Sequence, residues 1–128
     1  MKLLLDTQAI LWFLLDDHRL SGRARENISG PDALIFVSPA SLWEIAIKIS
    51  LGKYELPAPF EAFWDEQFIT NDFALLPVSV SHAAQVVNLP FHHRDPFDRL
   101  IIAQSLVEGM PLVSSDIIFD RYGVERVW

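Results

Sequence analysis

The sequence predicts a single α/β domain over residues 1–128, with a central, mainly parallel β-sheet flanked by α-helices. Short apolar runs alternate with longer segments of helical pattern, which is typical of parallel sheets crossed by helices. A length of 128 residues suits one domain. Hydrophobic residues make up 51% of the chain, which is enough to form a core without disulfides or a structural metal.

Five short apolar segments are bounded by polar or turn residues and predict the strands. The final segment is expected at an edge of the sheet. In chain order the predicted strands are Lys2–Leu5, Leu34–Val37, Ala74–Val78, Leu112–Ser114 and Val124–Trp128.

Six segments with a helical pattern lie between these strands, and several carry end signals. Ser21 is a candidate cap, Gly52 is a stop, and Asp95 with Pro96 marks the start of a helix that Gly109 ends. The predicted helices are Thr7–Asp16, Leu20–Ile28, Ala40–Leu51, Phe60–Ile69, His82–Asn88 and Pro96–Glu108.

Composition narrows the functional classes. The chain has no cysteine, which excludes disulfides, thiolate zinc sites and cysteine nucleophiles, and favours a reducing cytoplasm. The longest apolar run, Ala9–Leu15, is too short to span a membrane, and Asp6 interrupts the signal-like start of the chain. A net charge of −7 argues against broad affinity for nucleic acid, although carboxylates that hold metal are compatible with a nuclease.

Two acidic residues follow predicted strands. Asp6 ends the run Leu3–Leu5, and Asp116 comes shortly after Leu112–Ser114. Ligands of open parallel sheets bind beyond the carboxyl ends of the strands, so both acids are expected at one edge. Either could instead cap the segment that follows, and the two roles can coexist.

Three further acids lie at or within apolar helices. Glu44 either forms a structural pair with Lys48, four residues later, or faces a metal while Lys48 orients it or meets a phosphate. Asp98 has apolar neighbours and is a site candidate, whereas Asp95 has the stronger claim to cap the helix. Carboxylates from separate elements suit Mg²⁺ or Mn²⁺, which can activate water for phosphodiester hydrolysis.

Four local strings occur in an order that resembles the motifs of PIN domains, in particular the VapC-type toxins. They are Leu4–Ala9 (LLDTQA), Ser38–Lys48 (SPASLWEIAIK), His92–Gln104 (HHRDPFDRLIIAQ) and Leu112–Asp116 (LVSSD). The third string is the longest and most specific, and it is similar to the corresponding motif of one VapC-like subfamily.

The resemblance implies an endoribonuclease, with Asp6, Glu44, Asp98 and Asp116 as both the catalytic and the metal-binding acids for Mg²⁺ or Mn²⁺. Ser114 stands where many relatives have Thr and retains the hydroxyl. The resemblance further implies an RNA substrate, a homodimer and a small VapB-like antitoxin. It adds Asp95, an acid typical of this subfamily, as an accessory residue. No membrane association is expected, because the longest apolar run is too short to span a membrane.

Several other residues invite functional interpretations. Structural or loop roles are favoured for His82, His92 and His93, with a phosphate contact by His93 or Arg94 left open. Arg99 is a candidate phosphate contact, although a surface salt bridge is its default role. The aromatic segment Phe60–Phe73 is a candidate partner-binding element.

Two other functional classes compete with a nuclease. A non-catalytic binding module of the same fold is disfavoured because all four acids are present. A phosphotransfer protein is disfavoured because Gln8 stands where a phosphatase needs a second Asp, and Val78 and Ser79 stand where a receiver domain needs its phosphorylated Asp.

Overall fold

A computed structural model describes all residues 1–128 and contains one five-stranded sheet. The strand order is β3-β2-β1-β4-β5, and every pairing is parallel, which confirms the predicted sheet. The strands are β1 (Lys2–Leu5), β2 (Leu34–Val37), β3 (Ala74–Leu75), β4 (Leu112–Val113) and β5 (Arg126–Val127).

Six α-helices and one 3₁₀ helix connect the strands. Ser21 and Asp95 cap their helices through side-chain oxygens as predicted, and Gly109 ends its helix with a positive φ of 65°. The helices are α1 (Thr7–Leu14), α2 (Gly22–Ser29), α3 (Pro39–Ser50), α4 (Phe60–Asn71), α5 (Val80–Asn88) and α6 (Pro96–Glu108), and the 3₁₀ helix spans Ile117–Tyr122.

Strand β1 is buried on both faces and separates two apolar cores. Leu3 and Leu5 point into a core that includes Trp64, whereas Leu4 points to the opposite face and packs with Ile101 and Phe119. Successive side chains of a strand alternate between faces, so one uninterrupted apolar run supplies both cores.

The register of the sheet brings three strand ends to one level. Leu5 at the end of β1 pairs with Val37 of β2 and with Val113 of β4. The next residue of each strand is polar, namely Asp6, Ser38 and Ser114. The carboxyl edge of the sheet therefore begins with polar side chains on three adjacent strands.

One predicted strand boundary needs correction. Strand β3 ends at Leu75 rather than Val78, because Leu76 donates its N–H to the Val37 carbonyl but accepts at its own carbonyl from the Gln104 side chain instead of from β2. In the aromatic segment Phe60–Phe73, Phe63 and Trp64 are only 5% and 4% exposed and pack in the core, whereas Phe60 and Ile69 remain exposed. Its role as a partner-binding element stays a prediction. The longest helix, α6, has 13 residues, and none of the helices could span a lipid bilayer.

Candidate functional site

Asp6 sits at the carboxyl end of β1 and starts α1. Its Oδ1 accepts a hydrogen bond from the backbone N–H of Ala9 at 2.8 Å, so it is a helix cap, and it is buried. Burial raises the pKa of Asp6 to about 6; hydrogen bonds from Ser114 and Ala9 lower it, while Asp116 and Glu44 raise it through charge repulsion. Asp6 thus combines a capping role with a place among other acids.

Both carboxylate oxygens of Glu44 are held by neighbouring side chains. Thr7 Oγ1 donates to Glu44 Oε1 at 2.8 Å, and Lys48 Nζ lies 3.2 Å from Glu44 Oε2. Thr7 starts α1, whereas Glu44 and Lys48 lie one turn apart on α3. These contacts fix Glu44 at the point where α1 and α3 meet.

The two acids at the start of α6 have different surroundings. Asp95 Oδ1 accepts the backbone N–H groups of Phe97 at 2.8 Å and Asp98 at 3.1 Å, which confirms its predicted capping role. Burial raises the pKa of Asp98 to about 8, with repulsion from Asp95, Asp6, Glu44 and Asp116 adding to the effect. Among the acids of this site, Asp98 has the pKa that is raised furthest, first by burial and then by charge repulsion.

Asp116 follows β4 and caps the 3₁₀ helix. Its Oδ1 accepts the N–H of Ile118 at 3.0 Å, while its own N–H donates to Ser114 Oγ at 3.0 Å. Ser114 is fully buried, so its hydroxyl is fixed between Asp116 and Asp6. The Ser at this position therefore connects two acids of the site.

These acids line one open pocket of about 410 Å³ beyond the carboxyl ends of the strands. None of its nine lining residues is hydrophobic, and Lys48 is the one cation among them. The structure thus brings together the four acids singled out in the sequence, together with Asp95 and Lys48. The lining residues are Asp6, Thr7, Gln8, Glu44, Lys48, Asp95, Asp98, Ser115 and Asp116.

Comparison with known proteins places the chain in a family. The PIN domain family matches residues 3–125. The chain belongs to the PIN-domain family. It is also 32% identical over 114 residues to ribonuclease VapC22 of Mycobacterium tuberculosis, an alignment that covers 88% of this chain and 85% of that protein.

Solved structures with the same fold include two VapBC proteins. The structure of VapBC2 from Rickettsia felis bound to a promoter DNA fragment matches with a TM-score of 0.72 and 16% identity, over 100% of both chains. DNA-bound VapBC from Salmonella typhimurium matches with a TM-score of 0.68 and 19% identity, over 98% of this chain and 96% of that chain. At such identities the likeness concerns the fold of this PIN domain.

The donor set of this PIN domain fits a hard divalent cation. Carboxylate oxygens dominate the pocket, and Mg²⁺ and Mn²⁺ prefer oxygen ligands. The raised pKa values of Asp6 and Asp98 reflect burial and repulsion that a bound cation would offset. The residues present therefore suit a metal centre.

Arg99 lies outside the pocket of the PIN domain, contrary to its candidate role as a phosphate contact. Its buried guanidinium donates to the carbonyls of Pro90 at 2.8 Å and Leu89 at 3.3 Å, and it stacks on the ring of Phe91 at 4.2 Å. Consecutive residues of a helix point about 100° apart, so Arg99 faces away from the side that Asp98 occupies. Its donors bind the loop that precedes α6.

Sequence reasoning undervalued His93. Its Nε2 lies 3.0 Å from Asp116 Oδ2 and 3.2 Å from Asp98 Oδ2, inside the acidic cluster of the PIN domain. With these two acids it forms a group whose ligand atoms all lie within 4.8 Å of one another. The one signal in the sequence was its position two residues before Asp95.

His82 is structural as predicted, since it is buried and contacts Glu108 at 2.7 Å.

Proposed function

We propose that this PIN domain is a metal-dependent endoribonuclease of the VapC type. The observation that carries the proposal is the convergence of Asp6, Glu44, Asp98 and Asp116 in one polar pocket. The relationship to a ribonuclease at 32% identity supports RNA as the substrate. Mg²⁺ or Mn²⁺ is the proposed cofactor, held by these four acids.

The chain's own residues would prepare the site for hydrolysis. Thr7 and Lys48 orient Glu44, while Ser114 and the start of the 3₁₀ helix orient Asp116. A bound divalent cation supplies water activation and stabilises charge on the phosphate. The partly exposed ammonium of Lys48 is placed to meet a phosphate at the pocket rim.

The products of cleavage test this proposal. Attack by water rather than by the ribose 2′-hydroxyl leaves 5′-phosphate and 3′-hydroxyl ends, which end-group analysis of cleaved RNA identifies. We expect cleavage with Mg²⁺ or Mn²⁺, none in EDTA, and none by Asp6→Ala. Cyclic-phosphate products formed in EDTA, or full activity of Asp6→Ala, would contradict the proposal.

The biological role that we propose is that of the toxin in a toxin–antitoxin pair. The Rickettsia felis and Salmonella typhimurium neighbours are VapBC structures, which supports a small VapB-like partner. An Arg or Lys of that partner's tail would complement the acidic pocket. Because cellular RNA is the proposed substrate, the proposal includes a cytoplasmic location.

A homodimer is the proposed assembly of the free protein. One face of α5 supports it, because its apolar residues at helical spacing are exposed, namely Val80, Ala83, Ala84 and Val87. Light scattering at micromolar concentration tests this part alone, and a monomer would contradict it without affecting the nuclease proposal. Co-expression and co-purification with the product of the adjacent gene test whether that product is the proposed antitoxin partner.

A further inference from the structure

The imidazole of His93 lies between two acids of the candidate metal centre. Its Nε2 is 3.0 Å from Asp116 Oδ2, with hydrogen-bond geometry, and 3.2 Å from Asp98 Oδ2. These acids come from different elements, since Asp98 lies in the first turn of α6 and Asp116 precedes the 3₁₀ helix. The ring is therefore placed either to ligate a cation alongside the acids or to donate a hydrogen bond to them.

The other ring nitrogen distinguishes these two roles. Nδ1 of His93 accepts a hydrogen bond from the backbone N–H of Asp95 at 3.2 Å. An accepting Nδ1 carries no proton, so the proton of the neutral ring lies on Nε2 and points at the carboxylates. A histidine that ligates metal nearly always has the opposite arrangement, with its second nitrogen donating to an acceptor. The lone pair needed for ligation is thus absent from Nε2.

We propose that His93 is a positioning residue that donates from Nε2 to Asp116 and holds this acid beside Asp98, rather than a metal ligand. The inference rests on the proposed function, because it concerns the metal centre of that nuclease. Hydrogen bonds to ligating carboxylates fix their orientation, and loss of such partners typically lowers metal affinity 10- to 100-fold.

The loop that carries His93 is fastened from three sides, as a positioning role requires. The backbone N–H of His93 donates to the Tyr122 hydroxyl at 2.7 Å, and this hydroxyl donates to the Pro90 carbonyl at 2.9 Å. Arg99 donates to the same carbonyl at 2.8 Å. The His93 ring also packs edge-on against Phe119, with the ring centroids 5.7 Å apart. The ring therefore has little freedom to turn.

Metal titrations of variants provide the first test. Calorimetry compares binding of Mg²⁺ and Co²⁺ to the wild type, His93→Leu and His93→Gln, and circular dichroism checks their folding. We expect His93→Leu to bind both ions roughly 10- to 100-fold more weakly than the wild type. The loss should be similar for Mg²⁺ and for Co²⁺. His93→Gln should stay within a few-fold of the wild type, because its amide N–H₂ can donate from the position of Nε2.

Ligation by nitrogen predicts a different pattern. Imidazole favours Co²⁺ over Mg²⁺, so a lost ligand would weaken Co²⁺ binding far more than Mg²⁺ binding. That result would overturn the inference, as would unchanged affinity in His93→Leu. His92→Leu is the matched control, because His92 is the adjacent, exposed residue and makes no contact with the acids. Its ion affinity should equal that of the wild type.

The tautomer of His93 provides a second test that does not depend on any variant. Nitrogen-15 NMR of the imidazole at neutral pH should identify the Nε2–H form in the metal-free protein and in the Mg²⁺-bound protein. An Nδ1–H form in either state would overturn the inference. Because the metal-free protein is measured too, this test stands even if the wild type bound no ion and the proposed function failed.

Discussion

Replacement of Asp98 by Asn tests whether the metal-free pocket destabilises the fold. Burial and four neighbouring acids raise the pKa of Asp98 to about 8, so its ionisation opposes folding. The side chain does not cap α6, because Asp95 accepts the backbone N–H groups there. The amide would therefore remove the charge without removing a cap, and we expect Asp98→Asn to be more stable than the wild type in EDTA.

The size and pH dependence of this effect follow from the pKa of Asp98. The folded protein keeps the proton of Asp98 up to about pH 8, whereas the unfolded chain loses it near pH 3.8. The contribution of Asp98 to the free energy of unfolding is thus fully present below pH 3.8 and is lost as the pH rises towards 8. At about 1.4 kcal/mol per pKa unit, the loss of stability that Asp98 causes above pH 8 has an upper limit of about 6 kcal/mol. Proton sharing among the acids and the weaker interaction of Asn with the helix dipole reduce the expected gain at neutral pH to about 2 kcal/mol.

Urea unfolding in EDTA at several pH values measures this gain. The advantage of Asp98→Asn should be near zero below pH 3.8 and should grow as the pH rises to 8. Asp65→Asn is the control, because Asp65 is exposed on α4 away from the pocket. A lower free energy of unfolding for Asp98→Asn at neutral pH would refute the reasoning and would make Asp98 a structural residue.

Two further predictions concern residues around the site. Arg99→Met should lower the free energy of unfolding, measured in urea, by about 3 kcal/mol, because the buried carbonyls of Pro90 and Leu89 lose their donor. The control is Arg23→Met at an exposed position. If Arg99→Met were as stable as the wild type, Arg99 would not hold this loop. Trp43→Ala should weaken RNA binding about tenfold in fluorescence anisotropy, because Trp43 is 63% exposed, packs edge-on against Phe97 at the start of α6 and can stack on a base. Unchanged affinity together with dissociation of a dimer would instead assign Trp43 to the subunit interface.

The acids of the site could be found in the sequence because they interrupt local patterns. Asp6 ends an apolar strand, and Asp98 lies among apolar residues of a helix, so each is conspicuous without knowledge of the fold. The parallel topology then places strand ends at one edge. For Glu44 the sequence left two roles open, a structural pair with Lys48 or a place in the metal site. In the structure Glu44 contacts Lys48 and also lines the pocket.

The role of His93 could not be predicted because it depends on contacts that are distant in the chain. Its loop has no repeating pattern, and its position is fixed by Tyr122, 29 residues later. The inward direction of Arg99 depends in the same way on carbonyls of the preceding loop. The core placement of Phe63 and Trp64 depends on which face of α4 meets the sheet, and local hydrophobicity alone does not specify that face.

The charge of the pocket implies that a bound metal would control RNA binding as well as the proposed cleavage. Five carboxylates and one ammonium line the pocket, which gives a formal charge of −4 when all are ionised and of −3 while Asp98 keeps its proton, in a chain of net charge −7. Two divalent cations would neutralise this charge, and without them the pocket repels phosphate.

We therefore expect RNA to associate on the order of tenfold to a thousandfold more slowly in EDTA than in Mg²⁺. Stopped-flow fluorescence at matched ionic strength measures the rate, with a labelled RNA that is not cleaved during the measurement. Lys48→Gln should lower the rate further in both conditions, because it removes the one cation of the lining. Equal rates in Mg²⁺ and EDTA would mean that RNA binds away from the acids, on a surface that metal does not affect.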